Sequence, residues 1–177
     1  MSNSHLKFDV SKLMEASTGT RETYSFKTPV KLEGIKAKSD LEGRLEIMRI
    51  EKGFNARILQ AKLKVEMVCV KCLKDFDLEI RLESLERQFY FHPPRKIDDP
   101  NDLFLVDVKN QKIDISEPLR QEIILHFPEV SVCYMGCKGI CAHCGKDRNQ
   151  EDCSCEDDEP EAHKPLSALK DLMKKHG

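Results

Sequence analysis

The chain has 177 residues, 40% hydrophobic and 34% charged, with no Trp and a formal net charge of -2. A chain of this length buries enough surface to fold without disulfide staples, and its composition suits a soluble globular protein. The near-neutral charge gives no strong electrostatic case for nucleic acid or for membrane, and no run reaches the roughly 18 apolar residues of a membrane span.

The first twenty residues read as an irregular lead-in without a basic n-region and an apolar h-region, so a cytoplasmic location is expected. GTRETYSF can open a first strand, and Leu41 to Ile50 alternates weakly. Leu59, Ala61, Leu63, Val65 and Met67 then alternate with Lys62, Lys64 and Glu66, and Phe76, Leu78, Ile80 and Leu82 repeat the pattern. This period of two predicts two half-buried strands, joined as an antiparallel hairpin through CVKCLKD. FHPPRKIDDPND reads as an exposed loop, and LFLVDV and KIDI as short strands. Ser116 is placed as the N-cap of a helix with Pro118 in its first turn, apolar at Leu119, Ile123, Ile124 and Phe127, and stopped by Pro128.

Composition shifts after Val132, to a Cys-rich segment and then seven acids with no base over residues 151–161. HKPLSALKDLMKKHG reads as a terminal amphipathic helix, apolar at Leu166, Leu169, Leu172 and Met173 and basic at Lys170, Lys174 and Lys175. The expected fold class is α+β. Its antiparallel, meander- or barrel-like body spans residues 1–132, a zinc-binding segment with an acidic linker residues 133–160, and a helix residues 161–177.

Eight cysteines in a reducing compartment point to metal. They are spaced C-x2-C (Cys69, Cys72), C-x3-C (Cys133, Cys137), C-x2-C (Cys141, Cys144) and C-x-C (Cys153, Cys155). Four thiolates complete a tetrahedral structural zinc site, so two Zn2+ ions are expected. Two groupings fit. Cys141, Cys144, Cys153 and Cys155 can close one small loop, leaving Cys69 and Cys72 to meet Cys133 and Cys137; this grouping is preferred. The rival joins the two C-x2-C knuckles as in a zinc ribbon. Gly145 suits the turn after the second ligand, whereas Leu73 makes the first knuckle less typical. A redox dithiol fits poorly, because Cys69 and Cys72 are flanked by strands rather than a helix N-terminus. A catalytic zinc, which keeps an open position, also fits poorly. His126 reads as a capping or surface residue, and His143 points outward.

Lys71, Lys74, Lys138, Lys146 and Arg148 can offset the formal -2 of a four-thiolate zinc site. Lys62 and Lys64 read as a solvated strand face, with contact to an RNA backbone as the sharper reading. Lys71, Lys74, Lys170 and Lys174 are the further candidates for RNA or partner contact. No phosphate-cradling loop and no nucleophile or metalloprotease motif is present. The chain is therefore expected not to be an enzyme and to have no small-molecule substrate.

VCVKCLKDF on a hairpin, then IDISEPLRQEIILHFP, CKGICAHCGKDRNQEDCSC, an acidic stretch and PLSALKDL follow in order. Over about residues 41–172 this order resembles the YceD-like family, the large ribosomal RNA subunit accumulation proteins of bacteria and plastids. The resemblance implies a role in 23S rRNA accumulation or processing and in large-subunit assembly. The implied partners are the pre-ribosomal large subunit, 23S rRNA or a ribosomal protein. Shorter members keep the hairpin and the region of Cys133 and Cys137 but lack the later cysteines, which implies that the two sites are separable. The alternatives are a zinc-stabilised adaptor unrelated to ribosomes and a C-x2-C thiol redox enzyme.

Overall fold

The computed structural model describes residues 6–96 and 100–155. The terminal helix and most of the acidic stretch lie outside the described residues. The chain divides into two compact units, residues 1–137 and 138–177.

The first unit is built on strands that follow one another in sequence. They are β1 (Lys7–Asp9), β2 (Arg21–Thr28), β3 (Leu41–Ile50), β4 (Gly53–Val68), β5 (Asp75–Tyr90), β6 (Phe104–Leu105) and β7 (Lys112–Asp114), with helices α1 (Ser11–Glu15) and α2 (Ser116–Leu125). A five-stranded sheet runs β2-β3-β4-β5-β6, antiparallel except where β6 joins β5, and β1 pairs separately with β7. This is the strand-rich, antiparallel α+β body that the alternating pattern predicts. Short turns join β3 to β4 and β4 to β5, which makes those pairs antiparallel.

The alternation changes phase within β4 and, opposite it, between Leu82 and Leu85 of β5. Phe54, Ala56 and Ile58 face the core, and so do Ala61, Leu63 and Val65. The change of phase falls at Gln60, in the left-handed region at φ 51, where the register against β3 shifts between Glu42 and Arg44. An extra residue of this kind re-aims the strand beyond it. Leu59, expected to face inward, is therefore only half-buried.

Two local expectations are corrected. The lead-in holds β1 and α1, and Leu6, Val10 and Leu13 are core residues. Ser116 is the first helical residue of α2 rather than its cap, and Ile115 stands at the cap position. The Ser116 N–H donates to Asp114 Oδ1 at 2.9 Å, so the carboxylate two residues earlier satisfies the free donor. The Ser11 N–H donates to Asp9 Oδ1 in the same way at 2.9 Å. On α2, Pro118, Leu119 and Ile123 are buried while Ile124 is 38% exposed. His126 ends the helix, with Nδ1 2.9 Å from the Glu122 carbonyl oxygen.

Candidate metal centres

In the first unit, the β4–β5 hairpin carries Cys69 and Cys72 in its turn, and the segment after α2 brings Cys133 and Cys137 to them. Cys69 Sγ lies 3.8 Å from Cys137 Sγ, and Cys72 Sγ lies 3.7 Å from Cys133 Sγ. Phe76 and Val132 pack against this cluster. In the second unit, Cys153 Sγ lies 3.3 Å from Cys141 Sγ and 3.5 Å from Cys144 Sγ, and Cys155 completes the group. Within each quartet all four sulfurs lie within 4.8 Å of one another. The structure thus brings together the grouping preferred from spacing and not the two C-x2-C knuckles.

All eight cysteines are free thiols. A disulfide would bring its sulfurs to about 2.05 Å. A tetrahedron with metal–sulfur bonds of about 2.3 Å has edges of about 3.8 Å. The first quartet matches those edges at its two measured distances, and the second is somewhat tighter. Both groups can hold a metal ion.

The two knuckles share one backbone pattern. The Leu73 N–H donates to the Cys69 carbonyl at 2.9 Å, and the Cys69 N–H donates to the Lys74 carbonyl at 2.9 Å. The Gly145 N–H donates to the Cys141 carbonyl at 2.9 Å, and the Cys141 N–H to the Lys146 carbonyl at 2.8 Å. The residue after the second cysteine is left-handed in both, Leu73 at φ 60 and Gly145 at φ 72. The pattern therefore forms without glycine, at a steric cost to Leu73 of about 1 kcal/mol. Leu73 is 62% exposed and returns little packing for it. Leu73→Gly is expected to stabilise the first unit by about 0.5 kcal/mol, after the larger unfolded-state freedom of glycine is subtracted. Chemical denaturation of the two proteins at equal metal content measures the difference.

Electrostatics favour a cation at each quartet. Burial pushes the Cys69 thiol up, but the backbone N–H groups of Cys72, Cys133 and Lys71 together bring it down to about 6. Burial first, and then the neighbouring sulfurs, push Cys133 up to about 12. Backbone N–H groups of Cys144 and His143 lower Cys141 to about 6, while the sulfurs of Cys153 and Cys144 push Cys155 up to about 12. Each quartet thus has one thiol ready to ionise and another that resists, because like charges at this spacing oppose one another. A divalent cation held by the four sulfurs would remove that opposition and favour the thiolate form of the rest.

The second unit has almost no apolar core among its described residues. Cys141 is the only buried hydrophobic residue between positions 138 and 155. Turn hydrogen bonds, such as the Lys138 N–H to Asn149 Oδ1 at 2.7 Å, frame the quartet. The first unit has a continuous apolar core of its own.

Four of the six candidate contact lysines lie among the described residues, two on the β4 face and two on the first knuckle. Lys62 and Lys64 lie on the exposed face of β4, where Lys62 forms an ion pair with Glu42 and stands opposite Arg81, and Lys64 stands opposite Glu79. Lys71 and Lys74 are exposed on the first knuckle. Lys170 and Lys174 lie outside the described residues. Sequence reasoning passed over the exposed apolar residues of the knuckle loops. The signal was present in CVKCL and CYMGC: where the sulfurs turn inward, the residues between them turn outward.

Fold and site together define a β-rich protein with two separate four-cysteine centres suited to a structural metal. The chain belongs to the YceD family, described as "Large ribosomal RNA subunit accumulation protein YceD", whose model matches residues 59–173. It is similar to "Large ribosomal RNA subunit accumulation protein YCED homolog 1, chloroplastic" of Arabidopsis thaliana, with 31% identity over 64 residues. That match covers 36% of this chain and 20% of the relative, so the chain spans only about a fifth of the plant protein's length. No solved structure matches the chain.

Proposed function

We propose that this chain is a non-enzymatic assembly factor that promotes 23S rRNA accumulation and processing in the bacterial cytoplasm. The observation that carries the reading is the family match over residues 59–173, which takes in both cysteine quartets. The donor sets support a structural role for the metal. Four sulfurs around one point leave no open coordination position of the kind a catalytic zinc keeps. An all-thiolate tetrahedral set suits Zn2+, and we assign one ion to each quartet. The eight cysteines are then its ligands.

The partner is the precursor large subunit, reached through 23S rRNA or a ribosomal protein. Mixed charge on the β4 face makes Lys62 and Lys64 weak candidates for a phosphate track, which calls for several uncompensated cations. Lys71 and Lys74 are better placed, on the exposed knuckle. Sedimentation of the tagged full-length protein from lysate tests the reading. Co-migration with precursor large-subunit particles is expected, together with a deficit of mature 23S rRNA on deletion. Absence from every such fraction, with normal 23S rRNA in the deletion strain, removes it.

A further inference from the structure

The two quartets share one four-sulfur chemistry and differ in access. In the first, Cys69, Cys72 and Cys137 are buried and Cys133 is half-buried, with Phe76 and Val132 packed against the sulfurs. In the second, Cys141 is buried, Cys153 is half-buried, and Cys144 and Cys155 are exposed. Reaction of a cysteine with an oxidant follows its thiolate character and its exposure. Ligation of a divalent cation keeps sulfur as thiolate at both centres, so exposure is what separates them.

The second quartet also holds a resolving partner in place. Cys144 Sγ lies 3.5 Å from Cys153 Sγ. Closing that gap to a disulfide takes about 1.5 Å of movement. Between the two residues the chain makes only turns and one isolated bridge, from Asp147 to Ile140, so no helix or strand resists the closure.

The consequences of losing the ion differ as well. Among the described residues of the second unit, Cys141 is the only buried hydrophobic one, so the fold there depends on its ligands. The first unit keeps its apolar core from Leu6 to Ile123 whatever happens at its sulfurs. Oxidation at the second quartet is therefore converted into local unfolding, and the body is spared.

We propose that the second quartet is a peroxide-sensitive switch, in which Cys144 and Cys153 form a disulfide, the metal is released and residues 138–155 open. The Cys144 thiolate attacks one oxygen of hydrogen peroxide. The O–O bond breaks, and the departing hydroxide takes up a proton to form water, leaving a sulfenic acid. The Cys153 thiolate then attacks that sulfur. The S–S bond forms as the S–O bond breaks, and the second hydroxide is protonated to water. Two thiolates lose two electrons in all, and one peroxide becomes two waters. Cys141 and Cys155 are left as thiolate donors, too few to close a tetrahedral site. The inference rests on the assignment of one Zn2+ to each quartet and is independent of the ribosomal role.

Treatment of the full-length zinc-loaded protein, residues 156–177 included, with one equivalent of hydrogen peroxide tests this. A colorimetric chelator follows the zinc. One ion per chain should be released, about tenfold or more faster than the other. Peptide mapping by mass spectrometry should find a Cys144–Cys153 disulfide, with Cys69, Cys72, Cys133 and Cys137 still reduced. Limited proteolysis should cut within residues 138–155 only after oxidation, and dithiothreitol with added zinc should restore protection. Cys153→Ser, which keeps only the first quartet complete, should lose its zinc at the slow rate. Equal rates at the two quartets, the same rate without peroxide, or resistance of the second quartet overturns the proposal. So does a disulfide within the first quartet or between two chains, or a sulfinic acid in place of the disulfide. Resistance with two zinc ions bound at the outset removes the switch and leaves the zinc assignment standing. Fewer than two ions at the outset removes both.

Discussion

Cys69→Ser is expected to remove one zinc per chain and lower the melting temperature of the first unit by about 10 °C, while Cys153→Ser removes the other zinc and leaves that transition in place. The first quartet links the hairpin turn to the segment after α2. Between Cys72 and Cys133 it closes a loop of about 60 residues, worth about 4 kcal/mol if the link acts as a disulfide does on chain entropy. At roughly 2–4 °C per kcal/mol for a protein of this size, the loss is about 10 °C. The body should remain folded at low temperature, because its core from Leu6 to Ile123 is continuous without the metal.

The second quartet has the opposite balance. Its unit buries no hydrophobic residue but Cys141 among the described positions, so binding of the ion and folding are one event there. Cys153→Ser should make residues 138–155 sensitive to protease and should expose Cys141, Cys144 and Cys155 to thiol reagents. Elemental analysis, thermal melts and limited proteolysis of the two variants check these outcomes together. Loss of both zinc ions from either variant would show that the quartets are not independent. An unchanged zinc content in both would remove the cysteines as ligands.

Gly53→Ala is expected to destabilise the first unit by about 3 kcal/mol or more. Gly53 opens β4 and pairs with Tyr90 of β5. A Cβ there would lie 1.8 Å from the Phe89 carbonyl oxygen and 3.0 Å from the Tyr90 Cα. Both obstacles are backbone, so no rotamer change relieves them. The neighbourhood is also fixed. The Arg49 guanidinium stacks on Phe91 at 4.6 Å and donates to the Gly53 carbonyl at 3.0 Å, and the Phe91 N–H donates to the Lys52 carbonyl at 3.0 Å. Gly43→Ala makes the control. Its Cβ would meet the tip of the Phe26 ring at 3.0 Å and Ala61 Cα at 3.1 Å, and the ring can move. Urea denaturation of both variants should show the larger loss at position 53 by at least about 1 kcal/mol. Equal losses would mean that the hairpin end yields more readily than its packing indicates.

Much of this was legible along the chain. Period-two alternation marked β4 and β5, because a half-buried strand writes its two faces into alternate residues. The spacing of the cysteines marked four pairs, because two sulfurs two or three residues apart can turn toward one point. Family membership followed from the same motifs in order. The tertiary structure decided what local pattern cannot express. It set the phase of β4 before Gln60, with Phe54, Ala56 and Ile58 rather than Leu59 facing the core, because a bulge shows only against the neighbouring strand. It joined Cys69 and Cys72 to Cys133 and Cys137, a choice made by chain packing over some 60 residues. It also made Leu73 left-handed and exposed. A knuckle's hydrogen bonds fix the backbone whatever side chain stands there, and only the folded surroundings show whether that side chain is covered.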